Sequence, residues 1–261
     1  MREQTGKGSR PRGPRDARLS NLLSPSGVIF LALSVGLAAA SVGAQDEAAF
    51  ARKRKNMVVS QISGRGVRDP AVLRAMAEVP RHLFVLPAHI DQAYEDYPLP
   101  IAEGQTISQP YIVALMTECL ALDKGDKVLE VGTGSGYQAA VLSRIIANVF
   151  TIEIHEDLAR RAAETLERLG YGNVRVRAGD GFFGWPEEAP FDGVIVTCAV
   201  PEVPPALFAQ LAEGGRLVIP LGDVHAFQRL TVISKKAGQP VVKQVLDVRF
   251  VPMTGEALKK K

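Results

Sequence analysis

The sequence predicts an α/β fold: a doubly wound, mostly parallel sheet with helices on both faces, a small helical N-terminal addition and antiparallel strands at the C-terminal end. Three observations predict it. From Lys127 onward, apolar runs of strand length alternate with helical stretches, the pattern of consecutive βα units. A glycine-rich loop joins the first of these strands to its helix. The run Phe191–Ala199 (FDGVIVTCA) is apolar almost throughout, as a strand covered on both faces must be.

The elements follow in order. From Ala48 to about Ile62 the pattern is helical and rich in polar residues, with a basic ARKRK patch. Asp69-Pro70 opens a second helix over AVLRAMAEV, because Asp caps a first turn and Pro suits its first position. Residues Pro80–Ile107 hold Tyr94, Tyr97, Pro98 and Pro100 and read as a long loop, a length that usually signals function. Gln109-Pro110 begins a helix over YIVALMTECLAL. KVLEV (Lys127–Val131) is the first sheet strand, followed by the helix YQAAVLSRII. VFTIEI (Val149–Ile154) is the next strand, and Leu158–Gly170 a helix with glycine past its end. VRVRAG, FDGVIVTCA and GGRLVIPLG continue the sheet, with PPALFAQL a helix between the last two. RLTVISK and VVKQVLDVRFVP read as the antiparallel additions.

Residues 1–44 read as a leader rather than part of the fold. A basic stretch to Arg18 precedes an apolar run, and Val42-Gly43-Ala44 suits a signal peptidase. An uncleaved membrane anchor is the alternative, since residues 27–44 are just long enough to span. The division is therefore leader 1–44, helical and loop region 45–118, and α/β domain 119–261. The leader carries a net +4 of the chain's +3, which leaves the body at −1. A nearly neutral body argues against a nucleic-acid partner. Cys119 and Cys198 lie far apart without a CxxC, and the four histidines lack ligand spacing, so no metal is expected. Cys198 reads as a small buried hydrophobe. With no exposed apolar stripe in view, a monomer is expected.

The strongest local signal is VLEVGTGSGYQAA. Gly132, Gly134 and Gly136 let the backbone turn sharply and approach a ligand, with Thr133 between them and acidic Glu130 just before. The GxGxG spacing is not the GxGxxG dinucleotide fingerprint. It resembles the loop of class I S-adenosylmethionine-dependent methyltransferases, which are Rossmann-like; a glycine-rich βα turn with no ligand is the alternative. Glu153 ends the next strand, where an acidic residue accepts hydrogen bonds from ribose hydroxyls. The alternative there is a plain exposed acid. Asp180 and Gly181 close the third strand at the edge where such sheets bind ligands, unless they form only a tight turn.

A second signal is TISQPYIVA, preceded by YPLPIAEGQ. With VPRHLFV, FTIEI, GDGFFGWPEEAPFDGVIVTCA, GGRLVIPLG and VRFVPMTG, these segments run in order from Val79 to Gly255. Together they resemble the bacterial protein-L-isoaspartate O-methyltransferases, and the TISQP block is the most specific of them. The resemblance implies S-adenosyl-L-methionine as cofactor and damaged proteins or peptides containing L-isoaspartyl residues as substrate. It implies Ser108 as the active-site hydroxyl, with a helix cap before Pro110 as a competing or shared role. It makes Thr106 a cofactor contact and Gln109 and Thr197 substrate contacts. The peptide is expected over the Pro80–Ile107 loop. Because this cofactor is made in the cytoplasm, the implied compartment is cytoplasmic; a periplasmic or membrane-anchored protein held through residues 19–44 is the alternative. His155 and Cys198 depart from the family pattern.

Two other function classes compete. A nicotinamide oxidoreductase wants GxGxxG and usually Tyr-x-x-x-Lys, and none of the five tyrosines has Lys four residues on. A methyltransferase of another acceptor, or a non-catalytic isoaspartyl-peptide binder, shares the fold; loss of Ser108 or the glycines would mark the last, and they are intact.

Overall fold

The architecture comes from a computed structural model, which describes residues 46–259. The leader assignment lies outside the described residues. Among those described, no helix is long and apolar enough to cross a membrane. Apart from Asp46, which begins the first helix, the residues discussed below belong to the compact unit that starts at Glu47.

A helix, α1, covers residues 46–56 and widens into a π-helical turn over Met57–Ile62. Helix α2 (Pro70–Glu78) follows, its first turn held by Asp69, whose Oδ1 accepts from the backbone N–H of Ala71 at 2.7 Å and of Val72 at 3.1 Å. This is the cap that the Asp-Pro pair predicts. Asp69→Ala is expected to cost about 1 kcal/mol, read as a fall in melting temperature of about 2–4 °C for a chain of this size; an unchanged melt would remove the cap from the account.

The segment Pro80–Ile107 is more ordered than its proline content suggests. It folds into 3-10 turns at Arg81–Leu83, Pro87–Gln92 and Ala102–Gly104. A short antiparallel pair, β1 (Leu99–Pro100) and β2 (Thr106–Ile107), pins its far end. Phe84, Ala93, Tyr94, Leu99 and Ile107 are buried, so apolar anchors hold a path that no periodicity announces. Arg81 is also fully buried; its Nε donates to Ala93 O at 2.8 Å and its guanidinium lies 4.9 Å from the Tyr137 ring centre. Desolvation lowers it to about 10.

Helix α3 (Pro110–Leu120) leads into the sheet, whose strands are β3 (Lys127–Val131), β4 (Asn148–Glu153), β5 (Val174–Ala178), β6 (Phe191–Val196), β7 (Leu211–Leu221), β8 (Gln228–Lys236) and β9 (Gln239–Val248). Their spatial order is β5-β4-β3-β6-β7-β8-β9. The first five are mutually parallel, and β8 and β9 join antiparallel. The chain reverses direction between β5 and β6, on either side of β3, so the crevice at the carboxyl end of β3 is where such a sheet binds ligands.

Helices α4 (Tyr137–Ser143), α5 (Glu156–Arg168), α6 (Pro205–Ala209) and α7 (Glu256–Lys259) complete the fold. The covering of the two faces is unequal. Val128, Val149, Ile195 and Val218 pack with residues of α2–α5. Leu129, Phe150, Val194 and Leu217 face the other way, covered by Leu207 of α6, Ala257 of α7 and the partly buried Trp185. Met57, Val72 and Met76 belong to the same core cluster as Val128, so the region read as 45–118 packs with the sheet. Several boundaries differ from expectation. α4 stops at Ser143, three residues before the apolar pattern ends. α6 is only five residues long because Leu211 is already in β7. β9 ends at Val248, leaving Arg249–Pro252 outside the ladder.

Candidate active site

Strand β3 ends in the glycine loop, and local geometry explains its residues. Gly132, Gly134 and Gly136 have φ of 98°, 53° and 86°, a region that side chains resist. A Cβ on Gly132 would collide with the Thr197 hydroxyl, and one on Gly136 would press on Leu166 of α5 at 3.3 Å. The loop is also tied to β4. The N–H groups of Gly132 and Thr133 donate to Ile152 O at 2.8 and 3.2 Å, and the Thr133 and Thr151 hydroxyls lie 2.6 Å apart.

Glu153 is buried, not the plain exposed acid that was the alternative. Its Oε2 accepts from Gly134 N at 2.8 Å and its Oε1 from His155 N at 3.1 Å. The carboxylate thus stands at the strand end with its charge fixed by backbone N–H groups.

Glu130 differs. It is wholly buried on β3, and neither carboxylate oxygen has a hydrogen-bond partner among the described residues. Burial pushes it up to about 8; Thr151, engaged with Thr133, offsets this in part, and the Glu153 charge adds to it. It borders a small cleft shared with Ser108, Thr133 and Gln138. A buried acid without a partner beside an open space suits a cationic group.

Thr197, placed among substrate contacts, spends its hydroxyl proton on the loop, with Gly132 O at 2.7 Å and Val131 O at 3.1 Å. It braces the glycine turn while still bordering the pocket. Asp180 is likewise a brace. Its Oδ1 accepts from Phe182 N at 2.9 Å, capping the 3-10 turn Gly181–Phe183, and its Oδ2 from Glu256 N at 2.8 Å. Gly181 has no room for a Cβ against Val131. The Gly-Asp-Gly stretch therefore ties the C-terminal segment to the pocket instead of forming only a turn.

These residues surround one pocket lined by Gly132, Gly134, Glu153, Asp180 and Thr197. Sequence inspection missed three of its walls. His155 borders it with a buried Nε2 that has no hydrogen-bond partner among the described residues, Cys198 contributes a buried thiol pushed up by desolvation, and Met253-Thr254 close the far side. The VRFVPMTG match is the only signal that could have flagged the last of these.

Thr106 borders this pocket, the Glu130 cleft and a third space, a groove of about 670 Å³. Ser108 borders the cleft and the groove. Its hydroxyl has no partner among the described residues. It is not a helix cap, because that position falls to Gln109, which makes no side-chain cap bond. Gln109 instead donates from Nε2 to Asp96 O at 2.8 Å and lines the groove. The groove runs between the Pro98–Gln109 stretch and the C-terminal residues 224–227 and 246–252. The Pro80–Ile107 loop therefore supplies only part of one wall. Among the described residues no cluster of His, Cys, Asp or Glu is placed to hold a metal ion.

The family model described as protein-L-isoaspartate(D-aspartate) O-methyltransferase matches residues 52–258. The chain belongs to this family. A protein-L-isoaspartate O-methyltransferase of Shewanella sediminis is 56% identical over 214 residues, covering 82% of this chain and 88% of that protein. One from Opitutus terrae is 51% identical over 229 residues, covering 88% and 97%. A solved protein-L-isoaspartate O-methyltransferase superposes with a TM-score of 0.71 at 36% identity, over 78% of this chain and 67% of that one. A putative family member from Plasmodium falciparum, solved with S-adenosyl-L-homocysteine, gives 0.67 at 27% identity, over 77% and 98%. The departure at His155 thus lies within a chain that otherwise follows the family over nearly all its described length.

Proposed function

We propose that this isoaspartyl methyltransferase moves a methyl group from S-adenosylmethionine to the α-carboxyl of L-isoaspartyl residues in damaged proteins and peptides. The observation that carries the residue roles is the position of Ser108, whose hydroxyl has no partner among the described residues, where the glycine-loop cleft meets the large groove.

The pocket's residues fit the cofactor. The glycine backbone would lie against its methionine part, where no Cβ is tolerated at Gly132. Glu130 would pair with the α-ammonium, the cationic group that its partnerless carboxylate lacks. Glu153 would accept from the ribose hydroxyls. Asp180 and Gly181 would shape the adenine end through backbone position, since both Asp180 oxygens already hold N–H groups. When bound, S-adenosylmethionine supplies a methyl already activated by a positively charged sulfur.

Little chemistry is then left to the protein. A carboxylate is ionised and nucleophilic at neutral pH, so no general base is needed. Held by the glycine loop and Glu130, the cofactor would supply its methyl to the substrate carboxylate oxygen and would keep the bonding pair on sulfur. Ser108 orients the carboxylate by donating a hydrogen bond, and a peptide lying in the groove over this half-buried junction would exclude water. The resulting ester is a better leaving group than the carboxylate. The neighbouring amide nitrogen closes on it to a succinimide and releases methanol, and water opens the ring partly to normal aspartate. We place this activity in the cytoplasm, where the cofactor is made, and on a monomer.

The test is transfer of labelled methyl by the full chain to a peptide with one L-isoaspartyl residue, beside the same peptide with aspartate. Only the first is expected to be labelled, and Ser108→Ala is expected to lower kcat/KM about tenfold, the worth of one hydrogen bond. Equal labelling of both peptides, or of neither, would overturn the substrate assignment; full activity in the Ala variant would remove Ser108 from it.

A further inference from the structure

The groove carries a charge that no other described residue pairs with. Two of its lining charges are already neutralised. Arg65 pairs with Asp96 at 2.6 Å while stacked 3.6 Å over Tyr111, and Asp247 pairs with Arg229 at 3.2 Å. Arg249 lines the same groove, is exposed, and has no hydrogen-bond or ion-pair partner among the described residues.

Phe227 lines the same groove. Gln228 and Val248 are opposed at the end of the β8–β9 ladder, so Phe227 and Arg249 take the next facing positions on the two chains. Gln228 fixes this junction, its Oε1 accepting from Phe250 N at 2.9 Å while its Nε2 donates to Asp223 O at 2.7 Å. Phe227 also lines the groove and is 71% exposed, the most exposed large hydrophobic residue among those described. An exposed aromatic ring and an unpaired guanidinium lining one groove, just past the paired ends of β8 and β9, make a surface for a carboxylate-bearing side chain. The ring covers the stem and excludes water, and the planar fork takes the two oxygens.

We propose that Arg249 and Phe227 form a subsite that selects substrates with an acidic side chain close to the isoaspartyl residue. This rests on the methyl-transfer reading above and deepens it. The groove joins the subsite to Ser108, so the target carboxylate and the flanking carboxylate are held at different points of one extended segment. Position along the peptide, not charge alone, then separates the oxygen that is methylated from the one that is only bound.

The test uses isoaspartyl peptides, acetylated and amidated so that no terminal charge competes, with Glu, Gln or Lys on either flank. The wild-type chain is expected to favour a Glu peptide over its Gln counterpart about threefold in kcat/KM, the scale of an exposed ion pair, and to lose the preference in high salt. Arg249→Gln should bring the ratio to about one, Arg249→Glu should favour Lys, and Arg249→Lys should keep the preference for Glu. Phe227→Ala should raise KM for the Glu peptide more than for the Gln peptide. Circular dichroism of each variant shows whether the strand end stays folded, and the Lys variant preserves the test if Gln disturbs it. Equal use of all flanks by the wild type, or an unchanged ratio in Arg249→Gln, would overturn the subsite alone. Failure of the wild type to methylate any isoaspartyl peptide would overturn the parent reading and the subsite with it.

Discussion

Gly132→Val is expected to abolish cofactor binding and lower kcat/KM by a factor of about 1,000 or more, the scale of losing a positioned reactant. Two separate penalties act at this residue. Its φ of 98° is a conformation that a β-branched side chain does not tolerate. Its Cβ would also collide with the Thr197 hydroxyl that holds the Gly132 carbonyl. The loop must therefore move, and the N–H of Gly134 moves with it, away from Glu153. Binding of S-adenosylhomocysteine by calorimetry reads the loss directly, and circular dichroism shows whether the sheet survives. The two penalties separate in a double-mutant cycle of Gly132→Ala with Thr197→Ala. Removing the hydroxyl should restore part of the affinity and leave the φ strain. Near-wild-type binding by Gly132→Val would mean that the loop does not hold the cofactor.

Glu130→Gln is expected to weaken S-adenosylhomocysteine binding roughly 100-fold at pH 8, because a buried ammonium is left without its counter-charge. The pH dependence is the sharper readout. With its carboxyl raised to about 8, Glu130 is mostly protonated at pH 6 and must release that proton to pair with the ligand. Wild-type affinity should then rise about tenfold per pH unit up to about 8 and level off, while the Gln variant stays flat. Stability without ligand should move the other way. A carboxyl whose folded value lies above its unfolded one contributes fully below the unfolded value near 4.5. It then loses that contribution as pH rises through about 8. The ligand-free Gln variant should accordingly melt higher than wild type at pH 8, by about 2–4 °C for each kcal/mol recovered. Parallel pH profiles for the two proteins would show that Glu130 does not meet the ammonium.

Much of this site was legible before any coordinates. Gly132, Gly134 and Gly136 are recognisable because a strand ending in GxGxG has few other uses. Glu153 is recognisable from its place at the end of the next strand. Their roles were less legible than their positions. Thr197 and Asp180 were placed as contacts, whereas both are committed to backbone groups, Thr197 in the glycine loop and Asp180 in the C-terminal segment. Such bonds join residues far apart in sequence, and no spacing rule reports them. The Glu130 carboxylate gives the reverse case, since its lack of a placed hydrogen-bond partner among the described residues is what suggests a role for it, and no spacing rule reports that.

The sequence by itself determined the parallel sheet, the helix starts and the glycine turn, because strand alternation, capping and φ preference are decided within a few neighbouring residues. It also carried the family, through segments too specific to arise from patterning alone. The tertiary structure decided the rest. It threaded Pro80–Ile107 through the core by scattered buried anchors, closed the candidate pocket with Met253-Thr254, and brought Phe227 and Arg249 to the lining of one groove. Each of these depends on chain segments brought together by the common core, and burial of apolar surface acts without regard to separation along the chain.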